Sequence, residues 1–146
     1  KSEIVSKRME GDVHRYKTTD LELRAKKLSQ ALSSFNFDLG TRIGTLAWNG
    51  YRHLEIYYGV SGSGLVCHTI NPRLFPDQIA YIIQHAEDQL VFFDIGFSDL
   101  VEQLKPLCPV VKHWVCMIDE SMQPIPKNSI KIVTKFFLAH TERSWT

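Results

Sequence analysis

The sequence predicts an α/β fold built on parallel βαβ units. Three short apolar runs rich in strand-forming residues lie at Arg42–Trp48, Leu65–Thr69 and Leu90–Phe93, and turn residues bound each of them. Two segments with helical periodicity separate these runs. Strands that alternate with helices are typical of a parallel sheet, whose right-handed crossovers pack the helices against it. We therefore expect Arg42–Asp94 to form a βαβαβ unit around which the rest of the chain is organised.

The composition fits one globular domain. The chain has 146 residues, of which 44% are hydrophobic and 23% charged, and this is enough to bury a core. A net charge of +1 gives no electrostatic basis for binding nucleic acid or an acidic membrane surface. No apolar run approaches the ~20 residues of a membrane-spanning helix, and no signal peptide is visible. The three cysteines follow no metal or disulfide spacing, which predicts a cytoplasmic protein: Cys67, Cys108 and Cys116.

The first predicted elements are a hairpin and a helix. Glu3–Ser6 and Val13–Lys17 are strand-like and flank the turn Glu10-Gly11-Asp12. Thr19-x-x-Glu22 then matches a capping box, which predicts the start of a helix. The apolar stripe of that helix comprises Leu21, Ala25, Leu28, Leu32 and Phe35, and its solvent face is assigned Arg24, Lys26 and Lys27.

Residues typical of helix ends mark both helices that connect the predicted strands. Asn49 is the predicted N-cap of a helix that starts at Gly50, and the glycines of Gly59–Gly64 would let its far end pack closely on the sheet and turn sharply. This glycine-rich segment follows a helix and precedes a strand, the reverse of a dinucleotide-binding loop, and it forms no nucleophile elbow around Ser61 or Ser63. Pro76 fits the first turn of the next helix, whose apolar side comprises Ile79, Ile82, Ile83 and Ala86.

The last third of the chain is less regular. Phe97, Leu100, Val101 and Leu104 predict a short helix that begins near Ser98 and ends at Pro106. His113–Ile118 is the predicted fourth strand. Asp119–Ser129 is expected to be an exposed loop and the most mobile internal segment. A short strand at Ile130–Val133 and a helical turn at Phe136–His140 complete the assignment.

The histidines and one carboxylate are the candidate functional side chains. His53 and Glu55 lie two apart on a helix and so face different ways, which excludes a shared site. His68 is the most plausible functional histidine because it sits beside Asn71-Pro72 at a strand end, where α/β sheets bind ligands. Without a neighbouring carboxylate or nucleophile, however, a hydrogen-bonded structural role is expected for it. Asp94 is expected to cap a turn.

The remaining histidines and Cys116 are not expected to form a catalytic or metal-binding site. His113 and Cys116 lie three apart on a strand and therefore face opposite sides of the sheet. The other histidines carry no functional signal: His14, His85 and His140.

Two segments resemble a known enzyme family. TLAWNGYRHLEIYYGVSGSG and HTINPRLFPDQIAYIIQHAEDQLVFFD are similar to the early N-terminal domain of AMP-forming fatty-acyl-CoA synthetases, which belong to the acyl-activating adenylate-forming superfamily. The likeness runs from about Glu3 to Val115 and is closest to the medium- and long-chain branch. It implies that the βα units form part of that N-terminal domain. Residues 1–146 would then comprise a hairpin at 1–18, βα units at 19–118, and a loop and tail at 119–146.

The resemblance also implies the chemistry of the parent enzyme. Members of this family use ATP and Mg²⁺ to convert a carboxylic acid into an acyl-adenylate, and then transfer the acyl group to coenzyme A. Their ATP-binding loop ends in Pro-Lys-Gly and would lie beyond Thr146. The resemblance therefore assigns no catalytic, cofactor-binding or metal-binding residue to this chain, and it leaves open what His68, Asn71 and Arg73 do.

Two functional hypotheses follow. In the first, the chain, which starts at Lys1 without a methionine, is an N-terminal fragment of a fatty acid–CoA ligase and is inactive alone. In the second, it is a free-standing binding or assembly module without catalysis. The acid cannot be inferred, since fatty, branched, aromatic and sulfur-bearing acids all stay open. A homo-oligomer, most simply a dimer, is expected because the missing segments would leave a sheet edge and an apolar face uncovered.

Overall fold

The computed structural model describes residues 2–8, 11–117 and 131–132. Numbered in chain order, its elements are β1 Glu3–Lys7, β2 Val13–Lys17, α1 Thr18–Ser33, β3 Arg42–Leu46, α2 Tyr51–Gly62, β4 Val66–Thr69, α3 Pro76–Ala86, β5 Leu90–Asp94, α4 Ser98–Leu104, β6 His113–Met117 and β7 Lys131–Ile132. Single 3₁₀ turns precede and follow α4, at Ile95–Phe97 and Lys105–Leu107.

The main sheet is parallel, as predicted. Its strand order is β4-β3-β5-β6-β7, and every neighbouring pair runs in the same direction. The β1–β2 hairpin is antiparallel and forms a separate two-stranded sheet. The strand positions agree with the sequence analysis to within two residues at each end. From the apolar character of the four predicted strands we expected each to be buried on both faces, and this is wrong for β4, whose residues are exposed or half-buried because it is the last strand at one side of the sheet.

Helices cover both faces of the sheet, and each face has its own core. On one face, α1 and α2 pack with the sheet around Leu28, Leu32, Ile43, Ile56, Val60, Leu90, Phe92, Val115 and Met117. On the other face, α3 and α4 pack around Leu46, Ile79, Ile83, Val91, Phe93, Val101, Leu104, Trp114 and Cys116. Successive residues of β5 alternate between the two cores, because strand side chains point to opposite faces in turn. All five residues of β5 are buried.

Two helix starts differ from the predicted ones. Helix α1 begins at Thr18, because strand β2 leads directly into it and the N-cap falls on Lys17. The predicted Thr19–Glu22 capping box is therefore wrong: the Asp20 carboxylate accepts the Lys17 N–H at 2.9 Å, and Glu22 instead meets Lys26 at 2.5 Å. Likewise Gly50, and not Asn49, is the N-cap of α2. Pro76 occupies the first turn of α3, as predicted.

The glycines at the end of α2 pack against a different neighbour from the one expected. A Cβ added at Gly59 would lie 2.7 Å from Leu28 Cδ2 and 3.1 Å from the Ala25 carbonyl oxygen, so the close approach is to α1 and not to the sheet. The predicted sharp turn into β4 is present at Gly64, whose φ of +72° is a conformation that other residues rarely adopt.

Some predicted features lie outside the described residues. These are the Asp119–Ser129 loop, the Phe136–His140 turn and His140. The predicted strand at Ile130–Val133 is confirmed at its centre, where β7 pairs with β6. In the described part of the chain, no helix has the length and apolarity needed to cross a membrane.

Candidate ligand crevice at the carboxyl end of the sheet

The order of the strands defines where this sheet would take a ligand. Neighbouring strands β3 and β5 continue into helices on opposite faces, β3 into α2 and β5 into α4. Such a topological switch point opens a crevice at the carboxyl ends of the strands, where open α/β sheets bind ligands. The residues that border this crevice include Trp48 and Asp94.

Asp94 joins the two strands at the crevice. It is the last residue of β5 and only 6% exposed, and its Oδ2 accepts the Trp48 N–H at 2.8 Å. The predicted turn-capping role is wrong: the 3₁₀ turn Ile95–Phe97 that follows Asp94 has no cap hydrogen bond from its side chain, because the carboxylate bonds to Trp48 instead. The bond crosses from β5 to the loop after β3, so the carboxylate holds the two strand ends together at the base of the crevice.

The aromatic side chains of Trp48 and Phe97 lie together at one side of the crevice. The rings of Trp48 and Phe97 are 5.5 Å apart and tilted by 42°, and the Arg73 guanidinium lies 5.7 Å from the centre of the Trp48 ring. Asn71 Oδ1 accepts the Arg73 N–H at 3.0 Å, which shapes the turn that carries the arginine. Of the three residues whose roles sequence analysis left open, two are thus explained: Asn71 is a turn former, and Arg73 is a cation over an aromatic ring.

Behind Trp48 lies a small cavity of about 40 Å³. One water needs about 10–15 Å³, so the cavity has room for a few water molecules. Its walls come from the hairpin, the start of α2 and the end of β5: Ser6, Lys7, Arg8, Trp48, Asn49, Gly50, Tyr51, Arg52, His53 and Asp94.

His53 and Glu55 act separately, as their spacing predicted. His53 Nε2 lies 2.9 Å from Thr45 Oγ1, which fastens α2 to β3, and burial lowers the pKa of this imidazole against the opposing effect of the Trp48 backbone. Glu55 points elsewhere: its Oε1 accepts the Tyr16 hydroxyl at 3.0 Å and the Arg24 Nε–H at 2.5 Å. A buried imidazole with a lowered pKa stays neutral near pH 7.

The Glu55 cluster corrects one prediction. Arg24 was assigned to the solvent face of α1, but its guanidinium is partly buried against Glu55, which is only 1% exposed. Burial raises the pKa of Glu55 and outweighs the lowering effects of Arg24 and Tyr16. The pKa of Tyr16 is raised too, first by burial and then by the Glu55 charge. Sequence analysis missed the cluster because its partners lie 31 and 39 residues from Glu55.

His68 has a carboxylate neighbour that sequence analysis did not find. Its Nδ1 lies 2.7 Å from Asp88 Oδ2, and Asp88 is completely buried. The expectation that no carboxylate neighbours His68 is therefore wrong, although the ring is hydrogen-bonded as expected. Asp88 comes from the turn before β5, at the amino end of that strand, so His68 is engaged away from the crevice. Burial raises the pKa of Asp88, and the contact with His68 opposes it.

The other candidate residues do not converge on a site in the described ranges. His113 lies against Phe35 on the α1 side of the sheet, and Cys116 belongs to the opposite core, as predicted. His14 stacks on Tyr51 and His85 on Tyr81. The three cysteines are not disulfide-bonded. Within residues 2–8, 11–117 and 131–132, no three His, Cys, Asp or Glu side chains come together as a metal site.

Curated proteins and solved structures provide an independent comparison. The chain is 47% identical over 128 residues to a 3-methylmercaptopropionyl-CoA ligase of Ruegeria lacuscaerulensis, covering 86% of this chain and 24% of the relative. It is 48% identical over 115 residues to a medium-chain-fatty-acid–CoA ligase of Ectopseudomonas oleovorans, covering 79% of this chain and 21% of the relative. The chain thus spans less than a quarter of the length of these curated relatives.

The fold agrees with these relatives. The crystal structure of an anthranilate CoA ligase bound to anthranoyl-AMP superposes with a TM-score of 0.78 at 16% identity, covering 87% of this chain and 24% of that one. The parallel sheet is therefore that of the N-terminal domain of adenylate-forming enzymes. The model of the family described as "AMP-binding enzyme" matches residues 3–137. The chain belongs to the AMP-binding enzyme family.

Proposed function

We propose that this chain forms the amino-terminal βα part of an AMP-forming fatty acid–CoA ligase. The observation that carries the proposal is that relatives of 47% and 48% identity, aligned over most of this chain, are both named CoA ligases. In the proposed reaction, a carboxylate oxygen of the acid attacks the α-phosphorus of ATP and pyrophosphate leaves. The thiol of coenzyme A then attacks the acyl carbon of the adenylate, and AMP leaves.

The substrate is proposed to be an acid with a short to medium aliphatic chain. Support comes from the relatives, one named for a thioether-containing propionyl group and the other for medium-chain fatty acids. Both groups are flexible chains without a ring. An aromatic acid is the less favoured candidate, because the anthranilate enzyme resembles this chain in fold at only 16% identity.

The part of the chain described here is proposed to act as scaffold. At the crevice, Asp94 holds the Trp48 amide and His53 holds Thr45, and away from it His68 contacts Asp88, so these polar side chains hold elements together. The glycine-rich end of α2 leads into the amino end of β4, remote from the crevice. We assign no catalytic, ATP-binding, coenzyme A-binding or Mg²⁺-binding role to these residues, and place that chemistry in other parts of the ligase.

Pyrophosphate release tests this assignment. The 146-residue chain and a longer protein that extends the same reading frame are incubated with ATP, Mg²⁺ and an acid panel of 3-methylmercaptopropionate, octanoate, palmitate and benzoate. The longer protein is expected to release pyrophosphate faster with 3-methylmercaptopropionate and octanoate than with palmitate or benzoate, and the 146-residue chain to stay at the level of a heat-killed control. Turnover by the short chain would contradict the scaffold role. A natural stop codon soon after Thr146 would favour the free-standing module.

Self-association and location belong to the same proposal. Among the described strands, β4 pairs only with β3, which leaves one edge of the sheet open, and an open edge favours pairing with another chain. We therefore expect a dimer, with twice the monomer mass by light scattering at low micromolar concentration; a monodisperse monomer would contradict it. Three cysteines without disulfides fit a reducing cytoplasm, where we place the protein.

A further inference from the structure

The β1–β2 hairpin is attached to the domain without joining its cores. Neither core contains a hairpin residue, and each described residue of the hairpin is exposed or half-buried. Among the residues that the structure describes, the hairpin also shares no backbone pairing with the main sheet. An isolated two-stranded hairpin is at best marginally stable in water. Its order therefore depends on a limited set of docking contacts.

One set of contacts forms a latch, which we define as His14, Tyr16, Arg24, Tyr51 and Glu55. From the hairpin, Tyr16 donates its hydroxyl to Glu55 at 3.0 Å, and His14 stacks on Tyr51 with ring centres 3.7 Å apart. Arg24 of α1 meets the same Glu55 oxygen at 2.5 Å. The latch thus joins the hairpin to both helices on one face of the sheet, through polar and aromatic contacts.

A second contact places the hairpin over the start of α2. Ser6 Oγ accepts the Tyr51 N–H at 3.4 Å, and Ser6, Lys7 and Arg8 form one wall of the small cavity behind Trp48 and Asp94. A larger open groove of about 470 Å³ runs between β1 and α2, from Ile4 to Tyr57. The hairpin therefore bridges α2 with space beside it, and is not packed into the domain.

We propose that the hairpin is a strap that undocks as a unit while the sheet stays folded, and that undocking opens the cavity at the carboxyl ends of β3 and β5. Contacts that lie outside the cores break at a lower free energy than the cores themselves. The cavity wall formed by Ser6, Lys7 and Arg8 moves with the strap, so access to His53 and Asp94 is coupled to docking.

Hydrogen exchange in the first turn of α2 should reveal whether the hairpin is docked. The first amides of a helix have no carbonyl acceptor within the helix. In α2 the first such bond is from the Leu54 N–H to the Gly50 carbonyl, whereas the Tyr51 N–H is bonded to Ser6 of the strap. The Tyr51 N–H is thus held by the docked strap, so exchange of the Tyr51–His53 segment should follow the hairpin.

Hydrogen exchange on the 146-residue chain, followed by mass spectrometry, tests the strap. The amides of β2 and of Tyr51–His53 are expected to exchange at similar rates, faster than those of β3 and β5. Tyr16→Phe keeps the ring but removes the hydroxyl that Glu55 accepts. This substitution should raise the exchange rates of the β2 amides and of the Tyr51–His53 amides by at least about tenfold, the effect of losing a hydrogen bond to a charged group. The exchange rates of β3 and β5 should not change.

Two further variants serve as a control and as a second test of the strap. Arg15→Gln is the matched control, because Arg15 lies on the outer face of the same strand and its pair with Glu3 at 3.4 Å is exposed; exchange should not change. Ser6→Ala should accelerate Tyr51–His53 without altering the core strands. The proposal is overturned if β2 and β5 accelerate together, if Tyr51–His53 do not follow β2, or if Tyr16→Phe fails to fold, since each would show that the hairpin is not a separate unit.

Discussion

Replacing Gly59 by alanine is expected to destabilise the domain, although alanine is the better helix former. The new methyl group would meet Leu28 Cδ2 at 2.7 Å, Leu28 Cγ at 2.9 Å and the Ala25 carbonyl oxygen at 3.1 Å. Leu28 is fully buried and has little room to move, and a backbone oxygen moves only with its helix. Overpacking of this kind costs about 1–3 kcal/mol, against a gain of at most about 1 kcal/mol in helix propensity. We expect a net loss of about 1–2 kcal/mol.

Urea unfolding followed by circular dichroism measures this loss, and a thermal melt should show Tm falling by about 2–8 °C. Gly62→Ala is the matched control, because Gly62 lies in the same helix and a Cβ there meets no atom within 4 Å. It should stabilise the domain by up to about 1 kcal/mol. If both variants gain stability equally, the tight contact between α1 and α2 is refuted.

Two further predictions concern buried titratable groups. The pKa of Glu55 is raised, so its contribution to stability is present below its ordinary value of 4.5 and is lost as the pH rises through the raised pKa. The free energy of unfolding of the wild type should therefore fall relative to that of Glu55→Gln as the pH rises above 4.5, and a gap that moves in the opposite direction would refute the burial argument. Burial raises the pKa of Cys67 and of Cys108 to about 11 and that of Cys116 to about 12, so alkylation by iodoacetamide at pH 8 should be slow. Half-buried Cys67 should react first and all three rapidly in urea; faster reaction of Cys116 in the folded chain would contradict the structure.

The pattern of apolar residues, and the proline and glycine residues at the ends of elements, predicted most of the fold. Continuous apolar runs such as Leu90–Phe93 bury on both faces only between two helix layers, and this pattern alone is enough to predict the central strand of a parallel sheet. Pro76 marked the start of α3 and Gly64 the turn into β4. These signals are local, because each depends on residues within one element. Helix caps were predicted less well, since the continuous path from β2 into α1 moved the cap to Lys17.

The buried polar contacts could not be predicted from local patterns. Arg24 was assigned to solvent because it falls outside the apolar stripe of α1, yet Glu55 from another helix makes that position an ion pair. His68 and Asp88 are 20 residues apart and come from different elements. Each side chain alone has an ordinary explanation. Only the packing of α1 on α2, or the pairing of both β4 and β5 with β3, brings the partners together.

One signal in the sequence did point to the second of these pairs. Gly44 interrupts the apolar run of β3, and a glycine inside a strand often marks a site where another group approaches the backbone. A Cβ at Gly44 would lie 3.0 Å from Asp88 Oδ2, so the missing side chain makes room for the carboxylate that His68 contacts. Gly59 does the same for Leu28 between the helices. Each glycine is therefore explained by the side chain that occupies the place of its missing Cβ. A glycine inside a strand or helix thus predicts that a side chain distant in the sequence packs against the backbone there.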